Sequence, residues 1–225
     1  MCGRYFLNAS IEAIEIQFEA EFEPAGRALL TPRYNIAPTT PVPVVTATPA
    51  GRAVTLHVWG LVPSWARDPA AGARMANARA ETVADKPAFR GPFRRGRCIL
   101  PADGFYEWQA RPGRTKQPYC FRAADGSLLG FAGLRDRWEG PDGVLDTCTI
   151  ITTAANTLMA PVHDRMPVIL APGAYGAWLD PAASPERLKA LLGPCPEGFL
   201  RAYPVSPRVG NVRNEGPGLA EPADA

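Results

Sequence analysis

Short runs rich in apolar, β-branched and aromatic residues recur through the second half of the chain, separated by Gly, Pro or Asp. This pattern predicts β-strands at 98–100, 104–109, 119–122, 128–134 and 147–153. The Pro- and Gly-containing segment 110–118 between two of these strands is typical of a mobile hairpin loop. Short antiparallel strands are therefore expected to dominate this half.

In the first half, apolar residues recur at helical spacing from 11 to 22, with glutamates between them. This predicts an amphipathic helix whose glutamates face water. Asn8 or Ser10 is available as its N-cap, and Pro24 with Gly26 is expected to end it.

Weaker signals complete the outline. Strands are expected at 42–48 and 54–61, with Trp59 in the core; a short helix or turn at 77–84, stopped by Pro87; and short helices at 174–179 and 185–192. The sequence contains no repeat, low-complexity tract or clear linker. The elements predict an α+β fold: a single domain over 1–225, built around antiparallel, barrel-like sheet with peripheral short helices. Its core is expected over about 2–222, followed by a flexible C-terminal tail.

Composition excludes several classes of protein. No apolar run approaches the ~20 residues of a membrane span, and the start lacks the pattern of a secretory signal. The five cysteines are scattered and form no C-x-x-C pair, which argues against a disulfide framework or a structural zinc site and favours a reducing cytosol. We therefore expect no metal, no cofactor and no membrane partner.

Charge is distributed unevenly although the net charge is only +2. Residues 11–23 carry five glutamates and no base, while residues 74–97 carry seven Lys or Arg against Glu81 and Asp85. Such a basic stretch either places an anionic ligand or forms a solvated charged face.

Cys2 directly follows the initiator methionine. If Met1 is removed, Cys2 carries both a free α-amine and a β-thiol. The amine condenses with an aldehyde to an imine, and the thiol then closes onto the imine carbon as a five-membered thiazolidine. Their ordinary pKa values, about 7.7–8.0 and about 8.5, leave reactive forms near neutral pH. The alternative is that Met-Cys occurs here by chance.

Other candidate groups are few. His163 lies in a polar stretch between two prolines, where its imidazole suits proton transfer, whereas His57 lies in an apolar strand pattern and is expected to be structural. Glu107 lies among aromatic residues, either facing solvent or buried as a general acid with a raised pKa. Asn77 offers an amide that orients an amine or oxyanion, or that merely caps a helix.

These residues occur in a set of motifs that resembles the SRAP family, the SOS response-associated peptidases or abasic site processing proteins. The motifs are Met1-Cys-Gly-Arg4, Tyr34-Asn-Ile-Ala-Pro38, Trp59-Gly-Leu-Val-Pro63, Asn77-Ala-Arg-Ala-Glu81, Gly104-Phe-Tyr-Glu-Trp108, His163-Asp-Arg-Met-Pro167 and Val209-Gly-Asn-Val212. The resemblance runs from residue 2 to about 222, in the family's order and spacing.

The resemblance implies a function in the response to DNA damage. Members shield abasic sites in single-stranded DNA with a covalent protein–DNA crosslink through the N-terminal cysteine, after Met1 is removed by a peptidase activity attributed to the protein itself. By this resemblance Cys2 is the nucleophile and Asn77 positions its amine. Glu107 is the acid or base of imine formation, and His163 assists opening of the sugar ring.

Contacts to DNA are expected to combine cationic side chains with aromatic stacking. The candidates are Arg4, Arg79 and Arg165 for phosphates, and Trp65 and Trp108 for bases, with core packing as the alternative for both tryptophans. The expected partner is single-stranded DNA containing abasic sites, bound by a cytoplasmic monomer that is associated with the nucleoid when on DNA.

Two other functions remain possible at this stage. An N-terminal nucleophile amidohydrolase, such as a glutamine amidotransferase domain, also begins Met-Cys-Gly and uses the α-amine as base. It predicts further oxyanion-hole and glutamine-binding motifs, which the sequence does not show. A non-enzymatic DNA-binding domain with an incidental Cys2 predicts that no covalent species forms.

Overall fold

In the computed structural model, which describes residues 2–113, 115–141 and 143–223, the chain forms two β-sheets with short helices around them. The strands are β1 (Tyr5–Leu7), β2 (Glu21–Phe22), β3 (Arg33–Ile36), β4 (Pro41–Thr48), β5 (Gly51–Trp59), β6 (Asn77–Arg79), β7 (Arg97–Ala102), β8 (Gly104–Gln109), β9 (Gln117–Ala123), β10 (Leu129–Gly140), β11 (Gly143–Ala154), β12 (Arg165–Pro167), β13 (Ile169–Leu170) and β14 (Leu200–Pro204). The helices are α1 (Ile11–Phe18), α2 (Pro24–Leu29), α3 (Pro87–Arg95), α4 (Tyr175–Leu179) and α5 (Pro185–Ala190).

The larger sheet closes on itself. Its strands follow the order β12-β11-β10-β7-β4-β5-β2, and β11 also pairs in parallel with β5, where Thr147 is opposite Val58 and Cys148 is opposite Trp59. This pairing joins β11, β10, β7, β4 and β5 into a closed barrel. The predicted α+β, barrel-like fold is confirmed.

The smaller sheet is antiparallel throughout, in the order β14-β9-β8-β1-β3. An aromatic contact joins it to the barrel: the Tyr5 ring on β1 lies 5.3 Å from the Trp59 ring and 6.0 Å from the Phe131 ring, between centroids. All three side chains are fully buried, Trp59 as predicted. Edge-to-face aromatic pairs of this kind stabilise the interface between the sheets beyond their burial alone.

The first helix is shorter than predicted. Ser10 caps α1, since its side chain accepts a hydrogen bond from the Ala13 amide, but the helix ends at Phe18 because Glu19 has a left-handed backbone with φ 48°. The chain then continues as strand β2. Pro24 does not stop a helix but occupies the first turn of α2, where its missing N–H costs no hydrogen bond.

The prediction for 77–84 is wrong for its first residues, because Asn77–Arg79 forms a strand paired in parallel with β11. Hydrogen-bonded turns then lead to α3, which the sequence analysis missed by reading Pro87 as a stop. The other predicted strands and the helices at 174–179 and 185–192 are confirmed within a few residues at most ends, although β10 and β11 extend further as a long hairpin.

The C-terminal residues pack on the smaller sheet as far as the structure describes them. Val205 pairs with Pro222, and the Tyr203 hydroxyl donates a hydrogen bond to the Ala220 carbonyl at 2.8 Å. Residues 224 and 225 of the expected flexible tail lie outside the described residues, as does residue 114 of the expected mobile loop. In the described ranges no helix is long and apolar enough to cross a membrane.

Arg97 belongs to the basic stretch of the sequence but is a buried structural residue, with 7% of its surface exposed. Its guanidinium donates to the carbonyls of Phe93 and Arg94 at the end of α3, both at 2.7 Å. It also donates to the carbonyls of Trp178 at 2.8 Å and Asp180 at 2.6 Å. One side chain thus satisfies carbonyls at the ends of two helices, which otherwise lack partners.

We expect Arg97→Met to lower the free energy of unfolding by about 3 kcal/mol, because it leaves these carbonyls buried and unbonded while retaining most of the side-chain volume. Urea denaturation followed by circular dichroism measures the change. Arg95→Met, two residues earlier on the exposed face, is the control and should change stability by less than about 0.5 kcal/mol. Equal losses in the two variants would contradict this role.

Candidate functional site around Cys2

The segment before β1 runs along β8 and brings Cys2 towards Glu107. In the antiparallel pairing of these strands Tyr5 is opposite Phe105, and the Tyr106 amide donates to the Arg4 carbonyl at 2.9 Å. Continuing the same register places residue 3 opposite Glu107. Cys2 is fully buried in the core.

Asn77 holds Cys2 from the barrel side. Its position is set by β6, in which Asn77 is opposite Ile150 of β11. The Asn77 Nδ2 donates to the Cys2 carbonyl oxygen at 2.8 Å. The Asn77 Oδ1 is buried and accepts no hydrogen bond from the described residues, so it remains available to accept one from an amine or hydroxyl nearby.

The sequence allowed Glu107 either to face solvent or to be buried. In the structure it is buried, with 4% of its surface exposed. Burial raises the pKa of its carboxyl to about 7, because the low-polarity surroundings disfavour the charged form. Burial, followed by the negative charge of Glu107, raises the pKa of the Cys2 thiol well above its usual range. The two side chains are therefore close enough to interact electrostatically, and at neutral pH the thiol holds its proton.

His163 lies in the loop between β11 and β12. Its Nδ1 accepts a hydrogen bond from the Arg165 amide at 2.9 Å and also lies 2.9 Å from the Asp164 Oδ1. Burial lowers the pKa of the ring, which keeps it neutral at pH 7. Gln109, at the end of β8, donates to the Pro161 carbonyl at 3.1 Å and ties this loop to the strand that carries Glu107.

The structure therefore brings Cys2, Asn77, Glu107 and the His163 loop together from four separate segments. The acidic neighbour of His163, Asp164, is close enough to Glu107 to raise its pKa slightly further. No group of His, Cys, Asp or Glu able to hold a metal occurs among the residues that the structure describes. The arrangement of the amide, the carboxyl and the imidazole suits proton transfer and nucleophilic attack.

Arg4 and Trp108 lie side by side at this site. The Arg4 guanidinium carbon is 5.7 Å from the centroid of the half-buried Trp108 ring. Its Nη1 donates to the Asn35 Oδ1 at 2.7 Å and to the Val209 carbonyl at 2.8 Å. These contacts fix the direction of the guanidinium.

Asn35 was missed as a site residue. It is 2% exposed, and its Nδ2 donates to the carbonyls of Asn211 and Asn214 at 2.9 Å each. It thus positions Arg4 against the C-terminal segment. The signal was present, because Asn35 and Asn211 belong to two of the quoted motifs, but sequence alone does not show that the two motifs touch.

The remaining candidates differ in how available they are. Arg79 and Trp65 are exposed, Trp65 to 65%. Arg165 instead donates two hydrogen bonds to the Glu81 carboxylate, at 2.6 and 2.9 Å, and one to the Thr152 carbonyl at 2.6 Å. Its charge is already balanced within the fold, which makes it a weaker candidate for a phosphate contact.

His57 lies away from these groups and is 5% exposed. Its Nε2 is 2.9 Å from the Thr55 hydroxyl, and burial lowers the pKa of the ring to about 4. Its position agrees with the structural role expected from the sequence.

Comparison with known proteins identifies the family of this chain. The family model of the SOS response associated peptidase, SRAP, matches residues 1–212. The chain belongs to the SRAP family.

Relatives of this SRAP chain cover nearly its whole length. It is 42% identical to the abasic site processing protein YoqW of Bacillus subtilis (strain 168), over 98% of this chain and 99% of the relative. It is 33% identical to the abasic site processing protein YedK of Escherichia coli (strain K12), over 99% of this chain and 100% of the relative. A crystal structure of a protein from Bacteroides thetaiotaomicron superimposes with a TM-score of 0.87 at 27% identity, covering 99% of this chain and 100% of that one.

The raised pKa of Glu107 predicts a pH effect on stability. The folded state holds this proton with a pKa of about 7 against 4.5 for an ordinary glutamate. The favourable contribution is therefore complete below about pH 4.5 and is lost as pH rises through 7. Glu107→Gln should remove it, so that the difference in unfolding free energy between pH 5 and pH 8 shrinks by about 2–3 kcal/mol.

Urea denaturation at the two pH values measures this, on protein whose intact mass shows that Met1 is retained. Glu21→Gln, at an exposed glutamate, is the matched control and should leave the pH difference as in the wild type. An unchanged pH difference in Glu107→Gln would show that the carboxyl titrates as an ordinary exposed one.

Proposed function

We propose that this SRAP protein captures abasic sites in single-stranded DNA through a covalent thiazolidine link to Cys2, after Met1 has been released. The observation that carries the proposal is the convergence on Cys2 of an amide, a carboxyl with a pKa of about 7 and the loop of a neutral imidazole. These groups suit the chemistry of an amine and a thiol with an aldehyde better than that of an isolated thiol.

The relatives support the same chemistry through their names. YoqW and YedK are called abasic site processing proteins, and so is the protein HMCES of Gallus gallus, which is 35% identical over 86% of this chain and 67% of its own length. An abasic deoxyribose in its open form presents a C1′ aldehyde. This is the electrophile that a 1,2-aminothiol traps.

The reaction proceeds in balanced steps. Water first hydrolyses the Met1–Cys2 amide, which releases methionine and leaves the Cys2 α-amine. The amine adds to the C1′ aldehyde, and the carbinolamine loses water to give an imine. The Cys2 sulfur then bonds to the imine carbon while the nitrogen takes up the proton. Because amine and thiol belong to one residue, ring closure has a high effective molarity.

Each of the side chains near Cys2 assists a particular step of this reaction. Glu107, near half protonation at neutral pH, donates a proton to the departing hydroxyl and recovers one in reversal. Asn77 holds the Cys2 carbonyl and offers its free Oδ1 to the amine. His163, whose pKa is lowered by burial so that the ring is neutral at pH 7, moves protons during opening of the sugar ring.

Release of Met1 is the peptidase step of the proposal, and imine chemistry at C1′ gives the protein its lyase-like character. The burial of the Cys2 thiol and its raised pKa support an order of reaction in which the amine, not the sulfur, attacks first. The proposal includes action as a monomer in the cytoplasm, on nucleoid DNA during the response to DNA damage.

The single strand is held by charge and stacking. Arg79 is exposed one residue beyond the Asn77–Ala78 pair and is the best placed to contact a phosphate. Arg4 lies against Trp108 at the site itself, and Trp65 presents an exposed indole. Arg165 contributes less, because Glu81 already pairs with it.

A denaturing gel tests the proposal. Protein with a verified Cys2 N-terminus, mixed with single-stranded DNA carrying one abasic site, should give a shifted band that survives denaturation, whereas Cys2→Ala or a chain with a blocked N-terminus should give none. Undamaged DNA of the same sequence should give none either. Absence of an adduct with the mature N-terminus would falsify the proposal.

Cys2→Ser separates the two bond-forming steps. The variant keeps the amine, so an imine still forms and should be trapped as a stable adduct when borohydride is present. Without the reductant its adduct should fall at least about tenfold below that of the wild type, because the weaker hydroxyl nucleophile does not hold the ring closed. Equal unreduced adducts in the two proteins would exclude a role for the sulfur.

Phosphate binding predicts a salt effect. With undamaged single-stranded DNA and a Cys2→Ala background, so that binding stays non-covalent, Arg79→Gln should reduce the slope of log affinity against log salt by about 0.7, the value for one lost contact to single-stranded DNA. Fluorescence anisotropy over a salt series measures the slope. Arg201→Gln, at an exposed arginine of β14, is the control, and an equal change there would point to diffuse charge instead of a contact at Arg79.

A further inference from the structure

A groove lies between helix α3 and the loop that follows β5. It has a volume of about 470 Å³. Residues that line it include Ser64, Trp65, Arg90, Arg94, Arg95 and Asp136. Neither Cys2 nor the groups around it belong to this lining, so the groove is a separate feature of the surface.

Helix α3 divides cleanly into two faces. Pro92 and Phe93 are buried against the barrel. Arg90, Arg94 and Arg95 are exposed, and at 3.6 residues per turn they project from the opposite side of the helix. The helix therefore presents a row of guanidinium groups to the groove.

These three arginines have no acidic partner. In the described part of the chain, no carboxylate lies within 4.0 Å of their nitrogens, although other surface arginines such as Arg137 are paired. The acid in the groove, Asp136, is occupied: its Oδ2 accepts a hydrogen bond from the Ser64 amide and its Oδ1 accepts one from the Arg137 amide, both at 3.0 Å. The positive charges of the three α3 arginines are thus left to pair with an external anion.

Trp65 supplies the second component. Trp65 lines the same groove, and its side chain is 65% exposed instead of packed in the core. Exposed aromatic rings beside unpaired cations are the combination that binds single-stranded nucleic acid, since rings stack on bases and cations neutralise phosphates. An acidic protein partner would pair with the arginines but would offer no base to stack on the Trp65 indole.

Two short segments of the chain connect the elements of the groove to β6, which carries Asn77 of the Cys2 site. The loop that carries Trp65 begins beside β6, because the Leu61 amide donates to the Met75 carbonyl at 3.1 Å and the Trp59 Nε1 donates to the Ala76 carbonyl at 2.8 Å. Asn77 follows directly. On the other side, the turns at 80–86 connect the end of β6 to α3.

We propose that this groove binds the backbone phosphates of the strand that flanks the abasic nucleotide, with the α3 arginines as phosphate ligands and Trp65 against a neighbouring base. This inference rests on the proposed function and extends it to the strand beyond the lesion. It assigns a binding role to Arg90, Arg94 and Arg95.

Gly91 provides the test, because it lies in the groove lining between these arginines and a Cβ added there meets nothing within 4 Å. Gly91→Glu, Gly91→Gln and Gly91→Lys place different charges at one point on side chains of similar length. At low salt, Gly91→Glu should bind undamaged single-stranded DNA of about 20 nucleotides roughly tenfold more weakly than Gly91→Gln, and Gly91→Lys should bind it more tightly.

The measurement is anisotropy in the Cys2→Ala background, so its result does not depend on crosslinking. Gly173, an exposed glycine that also has open space around its Cβ position and has no part in the groove, is the matched control. Gly173→Glu and Gly173→Lys should bind alike. The same order of affinities at both glycines, or equal affinities for all Gly91 variants, overturns the proposal while leaving the crosslinking gel to decide the proposed function.

A competition experiment separates nucleic acid from an acidic protein. Polyglutamate matched in charge to the oligonucleotide should displace it poorly, and Trp65→Ala should weaken binding of the oligonucleotide but not of polyglutamate. Equal displacement, with no effect of Trp65→Ala, would show that the groove binds acidic chains in general and would overturn the assignment to DNA.

Discussion

Strand β11 is the element on which the rest of the molecule depends, because both of its edges are paired. One edge pairs with β10 and β12, and the other pairs with β5 and β6. A buried strand with unpaired amides is costly, so the open edge of β11 has to be satisfied. Pairing with β5 closes the barrel, and pairing with β6 fixes Asn77. The hydrogen bonding of one strand thus determines both the fold and the position of the amide that holds Cys2.

Burial at the site has two effects that oppose each other. It raises the pKa of Glu107 into the neutral range, which makes the carboxyl both an acid and a base at the pH of the cell. It also raises the pKa of the Cys2 thiol, and the Glu107 charge adds to this, so the thiolate is scarce. An enzyme that used the thiolate as its first nucleophile would need a nearby cation instead. The electrostatics therefore support the amine-first order of the proposed reaction.

Local patterns in the sequence predict most of this fold, since strands such as β8 and β9 are short, rich in aromatic and β-branched residues and bounded by turn residues. The wrong predictions share one cause, because each concerns a residue whose structure is decided by contacts outside its local sequence. Pro24 and Pro87 were interpreted as stops, yet both occupy the first turn of a helix, and the choice between these roles depends on packing that follows the proline. Asn77 was assigned to a helix or turn because its pairing partner, β11, lies some 70 residues away along the chain.

The same dependence on long-range contacts decides which charged residues are available to bind a ligand. Arg97 and Arg95 belong to one basic stretch of the sequence. The Arg97 guanidinium is buried and hydrogen-bonded to carbonyls at the ends of two helices, whereas Arg95 faces solvent. Arg165 and Arg79 flank β11 from opposite sides, and Glu81 neutralises only the first. Arg79 on β6 and Arg90, Arg94 and Arg95 on α3 have no carboxylate within 4.0 Å in the described part of the chain, and they lie on either side of the turns at 80–86. Under the proposed function, a single strand bound at Asn77 would follow these arginines, because each further phosphate would meet a cation that no carboxylate has already paired.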